Sequence, residues 1–363
     1  MRILYFSRTY TPHDHRFLQA MSENGDVVYV LHLENRSQSL EDRPLPRGVE
    51  RVHWLADRIP FRHAQLLPFV SSLRRVLTRI KPQVILAGPL QTCAFLVAMT
   101  GFRHLVSMSW GYDLLIDAQR DRWMTWVTRY TLKRSAAFLG DCETIRRLAI
   151  AYGMNPQRIV TFPWGVDLRH FSPAKRPAEK GDAFVFLSTR SWEPIYGVDL
   201  IARAFAEFAP RYPYAHLILL GNGSQASLLR KILSQADVLD QVSMPGQIGF
   251  KDLPRYYHLA DVYVSASHSD GTSISMLEAM ACGRPVILSD IPGNREWITS
   301  GEQGWFFRNG DWQALAGVME RAILNFPKLE RMGKAARQLV EARADWQRNF
   351  PKLYTALAWA SSL

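Results

Sequence analysis

The stretch SASHSDGTSISMLEAMACGRPVILSDIPGNREW, Ser265–Trp297, decides the fold. Its apolar lead-in, Val262–Ser265, reads as a strand. A polar turn follows at Ser267–Gly271, then a helical pattern over Ile274–Ala281 and a second strand at Pro285–Ser289. Strand, turn, helix and strand in this order make a parallel unit. In open parallel sheets ligands bind beyond the C-terminal strand ends, which is where this turn falls. Gly271 lets a ligand come close to the backbone. The amides of Thr272, Ser273 and Ile274 at the helix start suit an anion, and the helix dipole adds to this. Asp270 and Glu278 are eight residues apart. At about 1.5 Å per residue, Glu278 lies roughly 8 Å along the axis, about a diphosphate-to-ribose distance. A carboxylate there could accept two ribose hydroxyls, with Asp270 at the mouth near a sugar hydroxyl. On these residues alone, a turn-and-cap role for Asp270 and a solvated Glu278 remain open.

Outward from this motif the same rhythm repeats. Candidate strands Arg2–Phe6, Val27–Leu33, Val84–Ala87, Leu105–Ser109, Ala137–Leu139 and Arg158–Thr161 alternate with helical patterns such as Arg16–Glu23, Phe69–Ile80 and Thr125–Arg134. A second set of strands comprises Ala183–Ser188, His216–Leu220, Gln241–Met244, Val262–Ser265 and Pro285–Ser289. Its helices are Asp199–Phe208, Ala226–Gln235, Ile274–Ala281, Trp312–Asn325 and Leu329–Arg343. Between the sets, PWGVDLRHFSPAKRPAEK (Pro163–Lys180) has the proline and charge content of a linker. The expected architecture is α/β, with two doubly wound Rossmann-like domains facing across a cleft. Their expected bounds are 1–165 and 166–342, with a last segment at 343–363.

The chain has 363 residues, 47% hydrophobic and 21% charged, which excludes a disordered polymer. Its net charge is +11, and the whole excess falls on residues 1–180 while 181–363 are balanced. A basic first half favours an anionic partner. Arg58–Lys81 (RIPFRHAQLLPFVSSLRRVLTRIK) carries no acid. Its apolar positions Leu66, Leu67, Phe69, Val70, Leu73, Val76, Leu77 and Ile80 form one helical face, with Arg74, Arg75 and Arg79 largely elsewhere. It reads as a sheet-packing helix whose basic side could meet an anionic membrane. No basic-aromatic motif points to nucleic acid. Cys93, Cys142 and Cys282 are isolated, which suits a reduced, cytoplasmic location and gives no metal or disulfide framework. Any membrane contact is expected to be peripheral, because no apolar run nears the roughly 20 residues of a spanning helix.

The Ser265–Trp297 stretch resembles the acidic-x7-acidic signature of the retaining glycosyltransferases of family 4, in the GT-B group. Asp270 stands where Glu is usual, and Glu278 matches the second acid. PWGVDLRHFSP (Pro163–Pro173) resembles the family's interdomain segment, FLSTRSWEPIYGVDLIARAFA (Phe186–Ala206) the opening of its nucleotide-binding domain, and LLGNGS (Leu219–Ser224) its glycine loop, with Gly223 a candidate donor contact. VSMSWGYD (Val106–Asp113) resembles an acceptor-domain segment, and ADWQRNFPKLYTAL the family's C-terminal helix, which implies that 343–363 crosses back to the first domain. The resemblance implies transfer of a hexosyl unit, with retention, from a nucleotide-diphosphate sugar to a glycan, lipid-linked or other hydroxyl acceptor. UDP is the more frequent nucleotide and GDP the second. It further implies that Glu278 holds the ribose, that the amides of Gly271, Thr272 and Ser273 hold the diphosphate, and that Asp270 orients the sugar. Arg190 matches the phosphate-binding Arg, a role its fixed fork of donors suits. No cofactor or metal is implied.

Three departures stand out. Tyr196 takes the place of a usual Lys, so the phosphate clamp gains at most one hydrogen-bond donor and no charge. Trp110 replaces a His, leaving stacking or simple packing. The first loop, TYTPHDHRF (Thr9–Phe17), lacks the paired glycine of many relatives. His13, Asp14, His15 and Arg16 there could meet the acceptor or close over the donor. Asp113 is either an acceptor or donor-sugar contact or a helix cap. Two rivals follow: an epimerase or phosphorylase on the same fold, or a degenerate subunit that binds nucleotide sugar without turnover.

Overall fold

A computed structural model describes residues 1–34, 41–174 and 181–362. These separate into two compact units, Met1–Phe162 with Phe350–Leu363, and Pro163–Asn349. Sequence reasoning set the boundaries at 165/166 and 342/343. The C-terminal end of the Pro163–Lys180 linker, residues 175–180, lies outside the described residues.

In the N-terminal unit the described strands are β1 (Arg2–Ser7), β2 (Val27–His32), β3 (Val49–Arg51), β4 (Val84–Ala87), β5 (Leu105–Met108), β6 (Ala137–Gly140) and β7 (Ile159–Thr161). They form a parallel sheet in the order β3-β2-β1-β4-β5-β6-β7. Strands β4, β5 and β6 are buried at every position, as expected of a sheet covered by helices on both faces. The last segment belongs to this unit. Leu353, Ala356, Leu357 and Ala360 of helix Leu353–Ser361 are buried, Tyr354 donates to Asp26, and His104 Nδ1 lies 2.8 Å from the Ala360 carbonyl.

The C-terminal unit has strands β8 (Phe184–Ser188), β9 (Ala215–Leu220), β10 (Val242–Gly246), β11 (Val262–Ser265), β12 (Val286–Ser289) and β13 (Gly304–Phe307). Their order is β10-β9-β8-β11-β12-β13, again parallel. Both sheets therefore reverse direction once, at β1/β4 and at β8/β11. Such a switch point opens a crevice beyond the strand ends, where ligands bind. Strands β3 and β13 were not expected. β3 is a three-residue edge with one apolar residue, and β13 is four residues between turns.

The segment after Phe162 shows how tightly the second unit is tied. Val166 donates to the Ala344 carbonyl and Trp346 donates back to Val166, at 2.9 and 3.1 Å. Gly165 permits this approach. Its φ is +67°, and a Cβ there would stand 2.4 Å from the Ala344 carbonyl oxygen. Gly165→Ala meets both the backbone strain and the collision, so it should cost about 2–3 kcal/mol. Gly301 has φ +93° but nothing within 4 Å, so Gly301→Ala should lose only about 1 kcal/mol. Denaturant midpoints at unchanged slope measure both. Equal losses would show that the Ala344 contact does not hold this segment.

Candidate functional site

The β8/β11 crevice gathers the polar residues of the C-terminal unit. Arg190 follows β8, and Asp270 follows β11 through a turn. Arg190 Nη2 pairs with Asp270 Oδ2 at 2.8 Å, with side chains only 13% and 19% exposed. Arg190 Nη1 donates to Ser273 Oγ at 3.0 Å and lies 3.3 Å from Ser275 Oγ. Its Nε is buried and finds no hydrogen-bond partner among the described residues. Burial works against the charged guanidinium, but Asp270 together with Tyr196, Tyr263 and Tyr257 outweighs it and raises its pKa.

Tyr196 stands against Arg190. Its ring lies beneath the guanidinium, with Cζ 4.2 Å from the ring centroid. It supports Arg190 by its π face, a contact that the missing Lys in the sequence did not show.

Ser273 caps helix Ile274–Ala281, accepting from the Met276 amide at 3.4 Å. Gly271, Thr272 and Ser273 are buried ahead of it. Thr272 Oγ1 accepts from the Trp297 indole at 3.3 Å. Further along, Glu278 Oε2 accepts from the Tyr257 hydroxyl at 2.8 Å. That hydroxyl also stands 3.2 Å from Thr189 Oγ1, one residue before Arg190. Tyr263 donates to Ser275 Oγ at 2.7 Å. One hydroxyl network thus connects Glu278 to the Arg190 strand end. Burial, and after it the Glu278 charge, pushes the Tyr257 pKa far up, so the hydroxyl keeps its proton and donates.

Glycines let the loops approach. Cβ atoms at Gly221 and Gly223 would stand 2.8 Å from the Arg190 carbonyl oxygen and 2.4 Å from that of Trp192. The glycine loop therefore lies directly on the segment after β8. Gly223 is set there by Ser224, whose amide donates to Glu193 at 2.9 Å. At Gly293 a Cβ would meet the Gly271 and Asp270 carbonyl oxygens at 2.3 and 2.5 Å. The turn after β12 thus buttresses the Asp270–Gly271 turn. Sequence reasoning missed Tyr257, Tyr263, Ser275 and Gly293. The PGN tripeptide was the one visible signal for Gly293.

The β1/β4 crevice of the N-terminal unit brings some expected residues together and turns others away. His13 lies beside Trp110, with ring centroids 5.7 Å apart. Trp110 is half-buried over Gly88, where a Cβ would stand 2.7 Å from its Nε1. Asp14, a candidate substrate contact, and Asp113, read as either a sugar contact or a helix cap, are fully enclosed. Asp14 closes a capping box with Thr11, accepting from its amide at 2.8 Å. Asp113 accepts from Ser109 Oγ at 2.5 Å and from the Trp110, Leu114 and Leu90 amides at 3.2, 3.0 and 3.1 Å. Burial raises both carboxyls to about 6 against these bonds. Asp14 fixes the start of helix Pro12–Glu23, which carries His13, and Asp113 fixes the turn at Trp110. His15 is turned to Tyr10, 2.6 Å from its hydroxyl. His13, Asp14 and His15 therefore point to different partners, and no group of three metal-ligating side chains converges among the described residues.

Comparison with known proteins follows this division. Residues 172–339 match the family model of glycosyl transferases group 1, and residues 13–170 match that of Glycosyltransferase Family 4. The chain is 24% identical over 298 residues to a GDP-mannose-dependent alpha-(1-6)-phosphatidylinositol monomannoside mannosyltransferase of Mycolicibacterium smegmatis, covering 75% of this chain and 74% of that one. It is 31% identical over 166 residues to a D-inositol 3-phosphate glycosyltransferase of Kineococcus radiotolerans, covering 41% and 38%. Among solved structures it is similar to sucrose-phosphate synthase from Thermosynechococcus elongatus, with a TM-score of 0.81, 18% identity and coverage of 99% and 100%. It is also similar to HepE of Anabaena in complex with UDP-glucose, with a TM-score of 0.78, 18% identity and full coverage of both chains. With family models matching both units and two parallel Rossmann-like sheets behind them, the chain belongs to the GT-B glycosyltransferases.

Proposed function

We propose that the chain transfers a hexosyl unit, with retention, from a nucleotide-diphosphate sugar to a glycan or lipid-linked hydroxyl acceptor. One observation carries the donor side: a buried, charge-stabilised Arg190 at a strand end, beside the start of helix Ile274–Ala281. Arg190 offers its unpartnered Nε to a diphosphate oxygen, and the helix start adds its dipole. As the nucleotide leaves, negative charge gathers on the diphosphate, and a fixed cation in a low-dielectric site lowers that barrier. In this reading a protein cation and helix amides supply what a divalent metal supplies elsewhere. Asp270, held by Arg190, orients the donor sugar, and Glu278, held by Tyr257, accepts the ribose hydroxyls. The Asp270-x7-Glu278 signature supports retention.

UDP is read as the nucleotide, in line with the structural neighbours solved with UDP or UDP-glucose. GDP is a second reading, favoured by the GDP-mannose-dependent relative. That relative's phosphatidylinositol mannoside acceptor also supports a lipid-linked acceptor here. A thermal-shift screen of both nucleotides and their hexoses separates the donors, because a ligand bound to the folded state raises its melting temperature. Sugar transfer or slow donor hydrolysis then tests the activity. Arg190→Ala and Asp270→Ala should each lower it by about 10²–10³-fold. Nucleotide binding without turnover across a full donor and acceptor panel would refute the enzyme.

Glu278→Ala should weaken nucleotide binding by about 1.5–3 kcal/mol, the worth of hydrogen bonds to a charged group. Tyr257→Phe leaves that carboxylate in place but unheld, so the loss should be smaller, about 0.5–1.5 kcal/mol. An unchanged nucleotide Kd in Glu278→Ala would remove the ribose assignment.

Tyr196 gives a separate test. Tyr196→Phe keeps the ring under Arg190 and should leave kcat/KM within about twofold, whereas Tyr196→Ala should lower it about tenfold. Equal losses would mean that the hydroxyl, and not the ring, is what matters.

A further inference from the structure

Helix Arg122–Arg134 carries two rows of side chains that neither the core nor the donor site uses. Trp123, Trp126 and Tyr130 recur at three- and four-residue spacing, so they lie along one line of the helix. Their rings stack. The centroids of Trp123 and Trp126 are 5.0 Å apart at 23°, and those of Trp126 and Tyr130 are 5.3 Å apart at 28°. Phe95, fully buried, stands edge-on to all three rings at 6.4, 6.2 and 5.8 Å. The stack is therefore rooted in the core, yet Trp123 and Trp126 remain 47% and 46% exposed. Beside it runs a row of cations, Arg122, Arg129 and Lys133, seven and four residues apart and so on one side of the helix. All three are exposed, and the helix contains no acid. The acids that precede it, Asp117 and Asp121, already face Arg120 at 3.5 Å each.

We propose that this helix is a second binding site, for an anionic glycan: a chain of sugars that bears carboxylate or phosphate groups. The end of the stack carries the argument. Trp126 lies between Trp123 and Tyr130, so both its faces are taken. Trp123 is stacked on the Trp126 side alone among the described residues, while Phe95 meets it edge-on. Its outer face is therefore an open aromatic surface. The C–H face of a sugar ring carries slight positive charge and suits the negative face of an indole. An indole that is already held loses little freedom when the sugar arrives. The cation row supplies the second half, since Arg and Lys donate to carboxylate and phosphate oxygens. From Arg122 to Lys133 the helix rises about 16 Å, so an extended ligand is needed to meet the whole row. Charge alone would suit any anion, and an indole alone any apolar body. The two together suit a chain that carries both sugar faces and negative groups. Placement fits as well. The helix lies between the parallel strands β5 and β6. A crossover helix between parallel strands starts where the first strand ends, so Trp123 is at the β1/β4 crevice end of the helix. Its open face looks away from Trp126, toward that end. Gln91 Nε2 donates to the Asp113 carbonyl at 2.7 Å and to Thr128 Oγ1 at 2.8 Å, which ties the helix to the turn after Trp110. The inference deepens the glycan-acceptor reading, on which the role of the bound chain rests: the acceptor is anionic, and its distal sugars are held here. Binding itself needs neither donor nor turnover.

The test is a tryptophan-fluorescence titration of the full chain with hexagalacturonate and with a phosphomannan oligosaccharide, which separate carboxylate from phosphate chemistry. At least one should bind, change the emission and weaken as salt rises. Maltohexaose offers sugar faces without charge, and inorganic polyphosphate offers charge without sugar faces. Each should bind at least about tenfold more weakly than the better acidic glycan. Trp123→Ala should weaken that glycan about tenfold, and Arg129→Gln and Lys133→Gln about threefold each. The two Gln variants change exposed side chains, so their melting temperatures should hold and keep the test free of misfolding. Arg190→Ala should leave glycan affinity unchanged, since the donor site is not involved. Failure of both acidic glycans to bind, binding indifferent to Trp123, or polyphosphate binding as tight as the glycans would overturn the proposal. So would Trp123-dependent binding to phosphatidylglycerol vesicles, or Trp123-dependent self-association, in the absence of glycan binding. Sugar transfer without glycan binding at this helix would remove this inference alone, and glycan binding without any transfer would remove the activity alone.

Discussion

Arg190 is a permanent charge held almost out of water, and much of the C-terminal unit is arranged to keep it there. Taking a guanidinium into the interior costs several kcal/mol unless its surroundings compensate. Here they do so from four directions: the Asp270 carboxylate at 2.8 Å, the Tyr196 ring at 4.2 Å, and the Ser273 and Ser275 hydroxyls at 3.0 and 3.3 Å. Each of these partners is itself fixed. Ser273 caps a helix, Ser275 accepts from Tyr263, and the Asp270 turn leans on Gly293. The result is a cation that need not reorganise when negative charge develops nearby, which is what gives a buried charge its catalytic value.

Backbone, more than side chain, sets the shape of the crevice. Gly221, Gly223 and Gly293 each stand where a Cβ would lie less than 3 Å from a carbonyl oxygen of a neighbouring loop, and Gly197 approaches the Ala266 carbonyl in the same way. Four loops from four strand ends are therefore pressed together with no side chain between them. A larger residue at any of these points would separate the loops and move Arg190 or Asp270 from its partner. Close-packed interiors transmit such shifts and do not absorb them.

The fold was legible because its signals are local. The alternation of buried strands and amphipathic helices, and the turn after Val262–Ser265, are read within a dozen residues. The Arg190–Asp270–Glu278 set was legible through a spaced motif. What escaped depends on contacts distant in sequence. Tyr257 looks like one more aromatic residue on a short helix until Glu278, 21 residues on, accepts from it. Tyr196 looked like a weakened clamp because sequence shows a missing charge but not a ring placed under a guanidinium. Asp14 and Asp113 looked available because polar residues in loops usually are. Thr11, three residues before Asp14, is a local cap, and a cap was one reading of Asp113; its Leu90 partner, 23 residues away, was the hidden one.

The uneven charge now has a physical division. A single cation in a low-dielectric crevice acts strongly over a few ångströms, so the C-terminal unit can engage a diphosphate while its overall charge is balanced. The excess on the first half works differently. Arg75, Arg79, Arg122, Arg129 and Lys133 are exposed, where salt screens each beyond roughly 8 Å. Exposed charges of this kind do little for a small ligand in a crevice. They act together only on something that is itself extended and anionic and that comes within that distance of many of them at once.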